Sequence, residues 1–296
     1  MRYLFLLNPA AGKQDCTVQL IPQIRAAAAR AGWSAADYTI HTTEYAGHAR
    51  ELAHAAAQEA AQAGDSLRIW TAGGDGTFME AMTGVQGFAN AAVGCLPYGS
   101  GNDFLRDAER TRDDPPFLLN PYLQNLPTVT VNGMTRYFLN GIGYGIDGYC
   151  CEVGDKQRLK SDKPVNYTAI AIKGLLFGYH RTLADVCVDG DTKAYRAVWL
   201  APTMKGRFYG GGMMCAPGQN RLDPEGSVST MVMTGRSKLK TLIVFPSIFK
   251  GEHIRHREMV TIRPGHEVTV RFNRPTALQI DGETVVGVTE YSVKAG

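Results

Sequence analysis

The stretch that decides the fold is LRIWTAGGDGT, residues 67–77. Its first part, Leu67–Ala72, is short and rich in apolar and strand-favouring residues, which predicts a buried strand. The strand runs directly into the glycine-rich loop Gly73–Thr77, and a short helix is predicted to follow. A buried strand that turns through glycines into a helix is typical of a parallel sheet with helices packed on its faces.

The same order of strand, loop and helix recurs on both sides of this stretch. We predict further strands at residues 2–7, 38–42 and 91–96, and helices at 17–31 and 47–63. Ligands of such sheets bind at the carboxyl ends of the strands, so the loops that follow the strands are candidate nucleotide-binding segments. These loops are residues 8–13, 73–77 and 99–103.

The pattern changes near residue 113, where Asp113-Asp114-Pro115-Pro116 breaks helical continuity. A chain of 296 residues is also long for one core, so we predict two domains, 1–125 and 126–296. The second half is predicted to be β-rich, with one helical stretch at Tyr167–Tyr179. Its predicted strands are 128–132, 136–140, 184–189, 195–201, 227–234, 259–263, 266–273 and 277–280.

The composition narrows the binding partners and the cellular compartment that we expect for this protein. The formal net charge of +3 gives no reason to expect a nucleic-acid partner. No stretch of sequence approaches the roughly 20 apolar residues of a membrane helix. The six cysteines are scattered and contain no C-x-x-C pair, which favours a reduced, cytoplasmic protein.

Asp75 is an unexpected residue in a glycine loop. Glycines after a strand let backbone N–H groups approach an anion, and the start of a following helix favours negative charge. A carboxylate there would repel a phosphate unless Mg²⁺ or an attacking hydroxyl lies between them. The loop therefore points to phosphoryl transfer, although a tight turn in which Asp75 caps the helix explains the same residues.

A second loop, Gly99-Ser100-Gly101-Asn102-Asp103, repeats this chemistry at the end of the next strand. Taken by itself, it is better explained as a loop with an Asx turn, but two such loops at the ends of two strands of one domain favour a functional interpretation. Other nucleotide-binding motifs are missing from the sequence: there is no G-x-x-x-x-G-K-[ST], no H-R-D or D-F-G, and no G-x-G-x-x-G after a strand.

Four segments taken together resemble the diacylglycerol kinase catalytic-domain family, which includes bacterial soluble lipid kinases and the sphingosine and ceramide kinases. They are Asn8-Pro9-Ala10-Ala11-Gly12, Gly73–Thr77, Gly99–Phe104 and Gly143-Tyr144-Gly145-Ile146-Asp147. Later matches are Gly210-Gly211-Gly212, Asp223-Pro224-Glu225-Gly226 and Ile280-Asp281-Gly282-Glu283. The Gly-Gly-Asp-Gly-Thr motif is shared with NAD kinases, and the Gly-Asn-Asp loop is the more discriminating one.

The resemblance implies a fold, two cofactors and a set of site residues. The fold is an α/β N-terminal domain like that of NAD kinases and diacylglycerol kinases, with a parallel sheet and flanking helices, followed by a β-sandwich domain. Contacts with ATP are implied for Asn8, Thr43, Gly73, Gly74, Asp75, Gly76, Thr77, Phe78, Met79, Ser100 and Asn102. Catalytic Mg²⁺ would be organised by Asp75, Asp103 and Asp147. Glu283 would be the general base, and a second, structural Mg²⁺ is implied near Leu222, Glu225 and Ser227.

The implied reaction is transfer of the γ-phosphoryl group of MgATP to a hydroxyl of a membrane lipid, with diacylglycerol and its product phosphatidic acid as the leading case. Transient contact with the inner membrane surface is therefore expected, and a homodimer is left open. Two other functions remain: a kinase of a soluble substrate of the NAD-kinase type, and a nucleotide-binding module without catalysis. For Glu283, the alternative is a solvated side chain beside an Asp281-Gly282 hairpin turn.

Two basic features have both a functional and an ordinary interpretation. Lys13 is either a phosphate contact or a solvated loop lysine. The run Lys156–Lys163 is either a contact for anionic headgroups or an exposed loop. The chain also departs from the family pattern, because Ser100 stands where Thr is usual, Lys205 where Asn is common and Glu225 where Asp is usual.

Overall fold

The computed structural model describes residues 1–11, 15–97, 103–111, 114–161 and 165–296. The chain divides into two compact units, Met1–Gln124 and Asn125–Gly296. The first unit is built on a parallel sheet with helices, and the second is rich in antiparallel strands. This confirms the predicted fold class.

The sheet of the first unit is mostly parallel. Its strands are β1 (Arg2–Leu7), β2 (Tyr38–Thr42), β3 (Leu67–Gly73), β4 (Ala91–Pro97) and β5 (Phe117–Leu118). They lie in the order β2-β1-β3-β4-β5, and only β5 runs antiparallel to its neighbour. The two central strands, β1 and β3, carry mainly buried residues, as expected where helices cover both faces of a parallel sheet.

The described residues of the first unit form four α-helices: α1 (Cys16–Arg30), α2 (His48–Gln62), α3 (Asp75–Gly84) and α4 (Asp103–Asp107). The buried residues of α2 are all alanines, so α3 can approach it closely. A Cβ at Gly84, the last residue of α3, would lie 2.5 Å from the main-chain oxygen of Arg50. The Glu80 carboxylate accepts the N–H groups of Gly47 and Ala49, so α3 also caps the start of α2.

The second unit contains strands β6 to β17. They are β6 (Thr128–Val131), β7 (Met134–Tyr137), β8 (Gly141–Tyr144), β9 (Thr182–Val188), β10 (Asp191–Leu200), β11 (Thr203–Met204), β12 (Phe208–Tyr209), β13 (Met213–Met214), β14 (Val228–Thr234), β15 (Val260–Gly265), β16 (Glu267–Ile280) and β17 (Glu283–Lys294). The large sheet has the order β7-β6-β17-β16-β8-β11-β14-β10-β9, with β15 beside β14. Because β9 also pairs with β16, the sheet closes on itself around a core rich in valine.

Helices interrupt this sheet. They are α5 (Ile146–Arg158), α6 (Tyr167–Lys173), α7 (Lys238–Val244) and a π-helical turn at Gly174–Gly178. The sequence predicts only the helical stretch Tyr167–Tyr179, so α5 and α7 correct that prediction. Gly148 lowers the helix propensity of α5 and so weakens its signal in the sequence. Packing requires a glycine at this position, because a Cβ there would lie 2.1 Å from the main-chain oxygen of Ala277. Across the described residues, no helix has the length and apolar character needed to span a membrane.

Several strand predictions also need correction. The strands predicted at 266–273 and 277–280 form one strand, β16, and the sequence did not predict β5, β8, β11, β12 or β13. The strand predicted at 136–140 is observed as β7, which starts earlier because Asn132 and Gly133 form the preceding hairpin turn with φ of 49° and 77°. The predicted strands end at residue 280, whereas the structure adds β17. Its alternating apolar pattern is interrupted at Gly287, where φ is 71°.

Candidate functional site

Residues predicted to bind nucleotide follow the strands of the first unit. Asn8 comes directly after β1, Thr43 after β2 and Gly74 after β3. Because these strands are parallel, their carboxyl ends lie at one edge of the sheet. Several residues singled out in the sequence lie outside the described residues, among them Gly12, Lys13, Ser100, Asn102 and Lys163.

The strand order creates a topological switch point between β1 and β3. The chain leaves β1 towards β2 on one side and leaves β3 towards β4 on the other, and ligands of open α/β sheets bind at such a point. Asn8 Nδ2 donates to Thr77 Oγ1 across it at 3.0 Å. Asn8 Oδ1 accepts the N–H of Ala10, also at 3.0 Å. The loops after β1 and β3 are therefore held together at the expected binding edge.

Asp75 is the first residue of α3, and its carboxylate faces the start of α4. Its Oδ2 atom accepts the main-chain N–H of Asp103 at 3.0 Å and that of Phe104 at 3.3 Å. The N-cap of α3 is Gly74, with no side-chain hydrogen bond, so Asp75 does not cap its own helix. It ties the Gly73–Thr77 loop to the helix that follows the second predicted loop.

Asp103 and two phenylalanines lie behind these loops. Asp103 is 5% exposed, and its Oδ1 atom pairs with Arg106 at 2.7 Å. Phe78 and Phe104 are fully buried and pack edge to face with ring centroids 6.2 Å apart, which holds α3 against α4. The Phe78 side chain therefore belongs to the core, and only its main chain is available to a ligand. Met79, the next residue, is partly exposed.

Gly74 and Gly76 have no structural need to be glycine. Neither has a positive φ, and a Cβ built at either position meets no atom of the described residues within 4 Å. Gly73 differs, because a Cβ there would lie 2.4 Å from Thr77 Oγ1. Gly73 therefore serves internal packing, whereas the bare backbone at Gly74 and Gly76 leaves room for a phosphate.

Substitutions at Gly76 and Gly73 are expected to have different effects. Gly76→Ala should leave the free energy of unfolding unchanged or raise it by up to about 1 kcal/mol. It should raise KM for ATP by about tenfold, since the new methyl group crowds a charge-assisted hydrogen bond to phosphate. Gly73→Ala should lower the free energy of unfolding by about 1–3 kcal/mol, because Thr77 must move. Thermal unfolding and ATP kinetics measure both, and an equal loss of stability in the two variants would contradict this distinction.

Asp147 is the buried acid of the second unit. It lies in the first turn of α5 and is 9% exposed. Its Oδ2 atom accepts the hydroxyl of Tyr209 at 2.7 Å, whereas Oδ1 has no hydrogen-bond partner among the described residues. Burial raises the pKa of Asp147 to about 6, although the Tyr209 hydrogen bond opposes the rise. Gly143 makes room for the carboxylate, since a Cβ there would lie 1.6 Å from Oδ2.

Glu283 starts β17 directly after a hairpin turn. Asp281 and Gly282 form this turn with φ of 48° and 93°. The Glu283 side chain is 66% exposed and forms an ion pair with Arg136 of β7. The hairpin turn considered as an alternative is therefore confirmed, and the role of Glu283 as a base stays a prediction. No sequence pattern indicated Arg136, which is 147 residues away along the chain.

Asp281 organises the backbone in front of Glu283. Its carboxylate accepts the main-chain N–H groups of Leu139, Asn140 and Gly141. Burial raises the pKa of Asp281, although these three hydrogen bonds oppose the rise. The Asp-Gly pair in the sequence predicts the hairpin turn. It does not predict that the Asp281 carboxylate also anchors the segment that leads into β8.

The loop predicted to hold a structural metal is organised by internal donors. Asp223 Oδ2 accepts the hydroxyl of Ser227 at 2.5 Å, and Oδ1 accepts the N–H of Glu225 at 3.2 Å. The main-chain oxygen of Gly226 accepts from the ammonium group of Lys205 at 3.2 Å. Lys205 is 2% exposed, and desolvation lowers its pKa to about 8. A buried cation thus already contacts this loop.

Two further main-chain oxygens of this loop also have hydrogen-bond partners. His266 Nε2 lies 3.2 Å from the main-chain oxygen of Glu225, and Gln219 Nε2 donates to that of Ser227 at 2.8 Å. A divalent cation needs several free oxygen ligands. The second metal predicted near Leu222, Glu225 and Ser227 stays a prediction, and we assign no chemistry to it.

The carboxylates predicted to organise a catalytic metal belong to both units. Asp75 and Asp103 are in the first unit and Asp147 is in the second. Within the part of the chain that the structure describes, no three His, Cys, Asp or Glu side chains are grouped as a metal site. Mg²⁺ can use one or two carboxylates when phosphate oxygens and waters supply its other ligands. The unpartnered Oδ1 atom of Asp147 fits that requirement.

The structure combines a parallel α/β unit, with an open glycine loop at its switch point, and a β-rich unit that contains a buried acid. Two family models match this chain. The diacylglycerol kinase catalytic domain matches residues 2–131, and the YegS C-terminal NAD kinase beta sandwich-like domain matches residues 140–293. The second match alone covers more than half of the chain. The chain belongs to the family that these two models together describe, a diacylglycerol kinase catalytic domain followed by a YegS C-terminal domain, and the resemblance of its motifs is confirmed.

Individual relatives are distant in sequence. The protein YtlR of Bacillus subtilis (strain 168) is 23% identical over 98% of this chain and 95% of its own length. A diacylglycerol kinase of Mycobacterium tuberculosis is 25% identical over 73% of this chain and 70% of its own. A crystal structure of a diacylglycerol kinase from Bacillus anthracis str. Sterne has a TM-score of 0.59 at 19% identity, over 99% of this chain and 93% of that one. This last similarity shows that the fold is shared.

Proposed function

We propose that this protein is an ATP-dependent lipid kinase that transfers the γ-phosphoryl group of MgATP to a hydroxyl of a membrane lipid, with diacylglycerol as the leading substrate. The observation that carries the proposal is the open backbone at Gly74 and Gly76, because these glycines have no packing role within the described residues. Membership of the family supports phosphoryl transfer. The lipid substrate is supported by the Mycobacterium tuberculosis relative, which is named diacylglycerol kinase.

Nucleotide binding is assigned to the loops of the first unit. The proposed contacts are Asn8, Thr43, the main chain of Gly73–Met79, Ser100 and Asn102. The hydrogen bond between Asn8 and Thr77 supports a joint role for the first two loops. The hydrogen bonds from α4 to Asp75 support a joint role for the second and third.

Proton transfer is assigned to Glu283. Its carboxylate takes the proton of the lipid hydroxyl while that oxygen bonds to the γ-phosphorus of ATP. The bond from the γ-phosphorus to the bridging oxygen breaks, and ADP leaves. Bound Mg²⁺ supplies neutralisation of the charge on the phosphates, and Asp75, Asp103 and Asp147 are the residues proposed to hold it.

The test is a kinase assay with labelled ATP and a panel of lipids in mixed micelles. The expected result is phosphatidic acid from diacylglycerol, and none with Asp75→Asn. Glu59→Gln is the matched control, because Glu59 is an exposed carboxylate of the same unit paired with Arg2. Phosphorylation of NAD with no lipid product would replace this proposal with a soluble-substrate kinase. Binding of ATP without transfer to any substrate would replace it with a nucleotide-binding module.

A further inference from the structure

An apolar face of the second unit has no part in the proposed reaction. It is formed by the end of α6, the π-helical turn and α7, and we call it the docking face. Its exposed apolar side chains are Ile172, Phe177, Leu239 and Ile243, which are 46%, 78%, 70% and 69% exposed. Single exposed apolar residues are ordinary, whereas a group of them marks an interaction surface.

The two segments that carry these side chains contact each other. The ammonium group of Lys238 donates to the main-chain oxygen of Leu176, which joins the start of α7 to the π-helical turn. Leu239 is the next residue along α7. Ile243 follows four residues later and therefore lies on the same side of the helix.

The π-helical turn packs against the side chain of Tyr149. A Cβ at Gly178 would lie 2.2 Å from the Tyr149 hydroxyl, and one at Gly174 would lie 3.0 Å from its ring. Leu175 is buried at 1% exposure, whereas Phe177, two residues later, is the most exposed side chain of the turn. Single π-helical turns are frequent at functional sites, and this one presents a phenylalanine to solvent.

The two segments that form the docking face carry charge of one sign. Segments 165–181 and 235–250 contain six Lys or Arg residues and no Asp or Glu, in a chain whose net charge is only +3. The basic residues are Lys173, Arg181, Arg236, Lys238, Lys240 and Lys250. From a neighbouring segment, Glu258 pairs with Lys240 at 2.8 Å. Apolar side chains surrounded by lysine and arginine are complementary to an anionic bilayer, which offers acyl chains below a layer of negative headgroups.

We propose that the docking face binds this protein to anionic lipid bilayers, with Phe177, Leu239 and Ile243 entering the headgroup region. The inference rests on the proposed function, because a lipid kinase must reach the bilayer that holds its substrate. The run Lys156–Lys163 fits this task less well. Its first basic residues lie on α5, where Lys156 and Arg158 are already paired with acids one turn earlier.

A cavity of about 290 Å³ adjoins the docking face. Its lining includes Gly178 and Tyr179, directly after Phe177, and also Val286 of β17. The cavity therefore has one wall directly after Phe177 and another on β17, the strand that begins at Glu283.

The test is co-sedimentation of the full chain with phosphatidylcholine vesicles that contain or lack phosphatidylglycerol. The wild-type protein is expected to bind the anionic vesicles, and more weakly as salt is raised. The triple variant Phe177→Ser/Leu239→Ser/Ile243→Ser should lower the vesicle partition coefficient by about tenfold or more. Val18→Ser/Leu159→Ser is the matched control, since these side chains are 76% and 88% exposed elsewhere and should not affect binding.

Kinase assays separate this inference from the proposed function. The triple variant should phosphorylate a short-chain diacylglycerol, dissolved as monomers, at the wild-type rate and lose activity on vesicles. Equal binding of the triple variant and the wild type, or no binding by the wild type, would overturn the docking face while leaving the kinase in place. Vesicle binding without phosphorylation of any lipid would overturn the proposed function alone. A changed oligomeric state in sedimentation velocity, with vesicle binding intact, would make the face a contact between copies and would also refute the inference.

Discussion

Glu283→Gln is expected to lower kcat for phosphoryl transfer by about 10²- to 10⁴-fold, the usual contribution of a general base. The melting temperature should stay the same. The side chain is 66% exposed, and its ion pair with Arg136 lies at the surface, where such pairs contribute about 0–1 kcal/mol. Gln keeps the shape of the side chain and removes only the ability to take a proton. Steady-state kinetics and thermal unfolding of the same preparation measure both quantities.

Glu290→Gln is the matched control for this experiment. Glu290 lies on the same strand, β17, and pairs with Arg271 in the same way that Glu283 pairs with Arg136. Both variants lose a surface ion pair, but only Glu283→Gln also loses the proposed base. A kcat of wild-type size for Glu283→Gln would remove Glu283 from the mechanism. Equal losses in both variants would assign the effect to the hairpin rather than to proton transfer.

Much of the first unit can be predicted from sequence because its signals are local. The strands β1 and β2 occur at the predicted residues 2–7 and 38–42, since β1 is a short apolar run and β2 is rich in the aromatic and β-branched residues that strands favour. The helices α1 and α2 begin and end within a residue of the prediction. Loop positions at the carboxyl ends of strands follow from the same pattern.

Contacts between distant residues could not be predicted in this way. The bond from Asp75 to the start of α4 spans 28 residues, and the pair of Arg136 and Glu283 spans 147. The Lys205 ammonium group is a further case, because its contact with Gly226 depends on burial that no local pattern reveals. Residue types at a motif indicate which chemistry is available, whereas the partners of each charged group follow only from the tertiary fold.

Asp147→Asn is expected to make the protein more stable at pH 7 and less active. In the folded state, burial raises the pKa of Asp147 from 3.8 to about 6, so the folded protein holds this proton more tightly than the unfolded chain does. Stability therefore falls as the pH rises from about 4 to 6, and the full cost is present above pH 6. A shift of this size corresponds to about 3 kcal/mol. Asn carries no charge and should recover much of that free energy.

Urea unfolding of the two proteins in metal-free buffer, between pH 4 and pH 8, measures this effect. The stability advantage of Asp147→Asn should grow up to about pH 6 and then stay constant. Glu152→Gln, on the same helix and paired with Lys156 at the surface, should change stability by no more than about 0.5 kcal/mol. Lower stability of Asp147→Asn at every pH would contradict the assignment of a costly buried charge. The Asp147 carboxylate is expected to lower stability, and its Oδ1 atom has no hydrogen-bond partner among the described residues. The proposed role in the reaction would account for such a costly group, so the more stable variant should also be the slower enzyme.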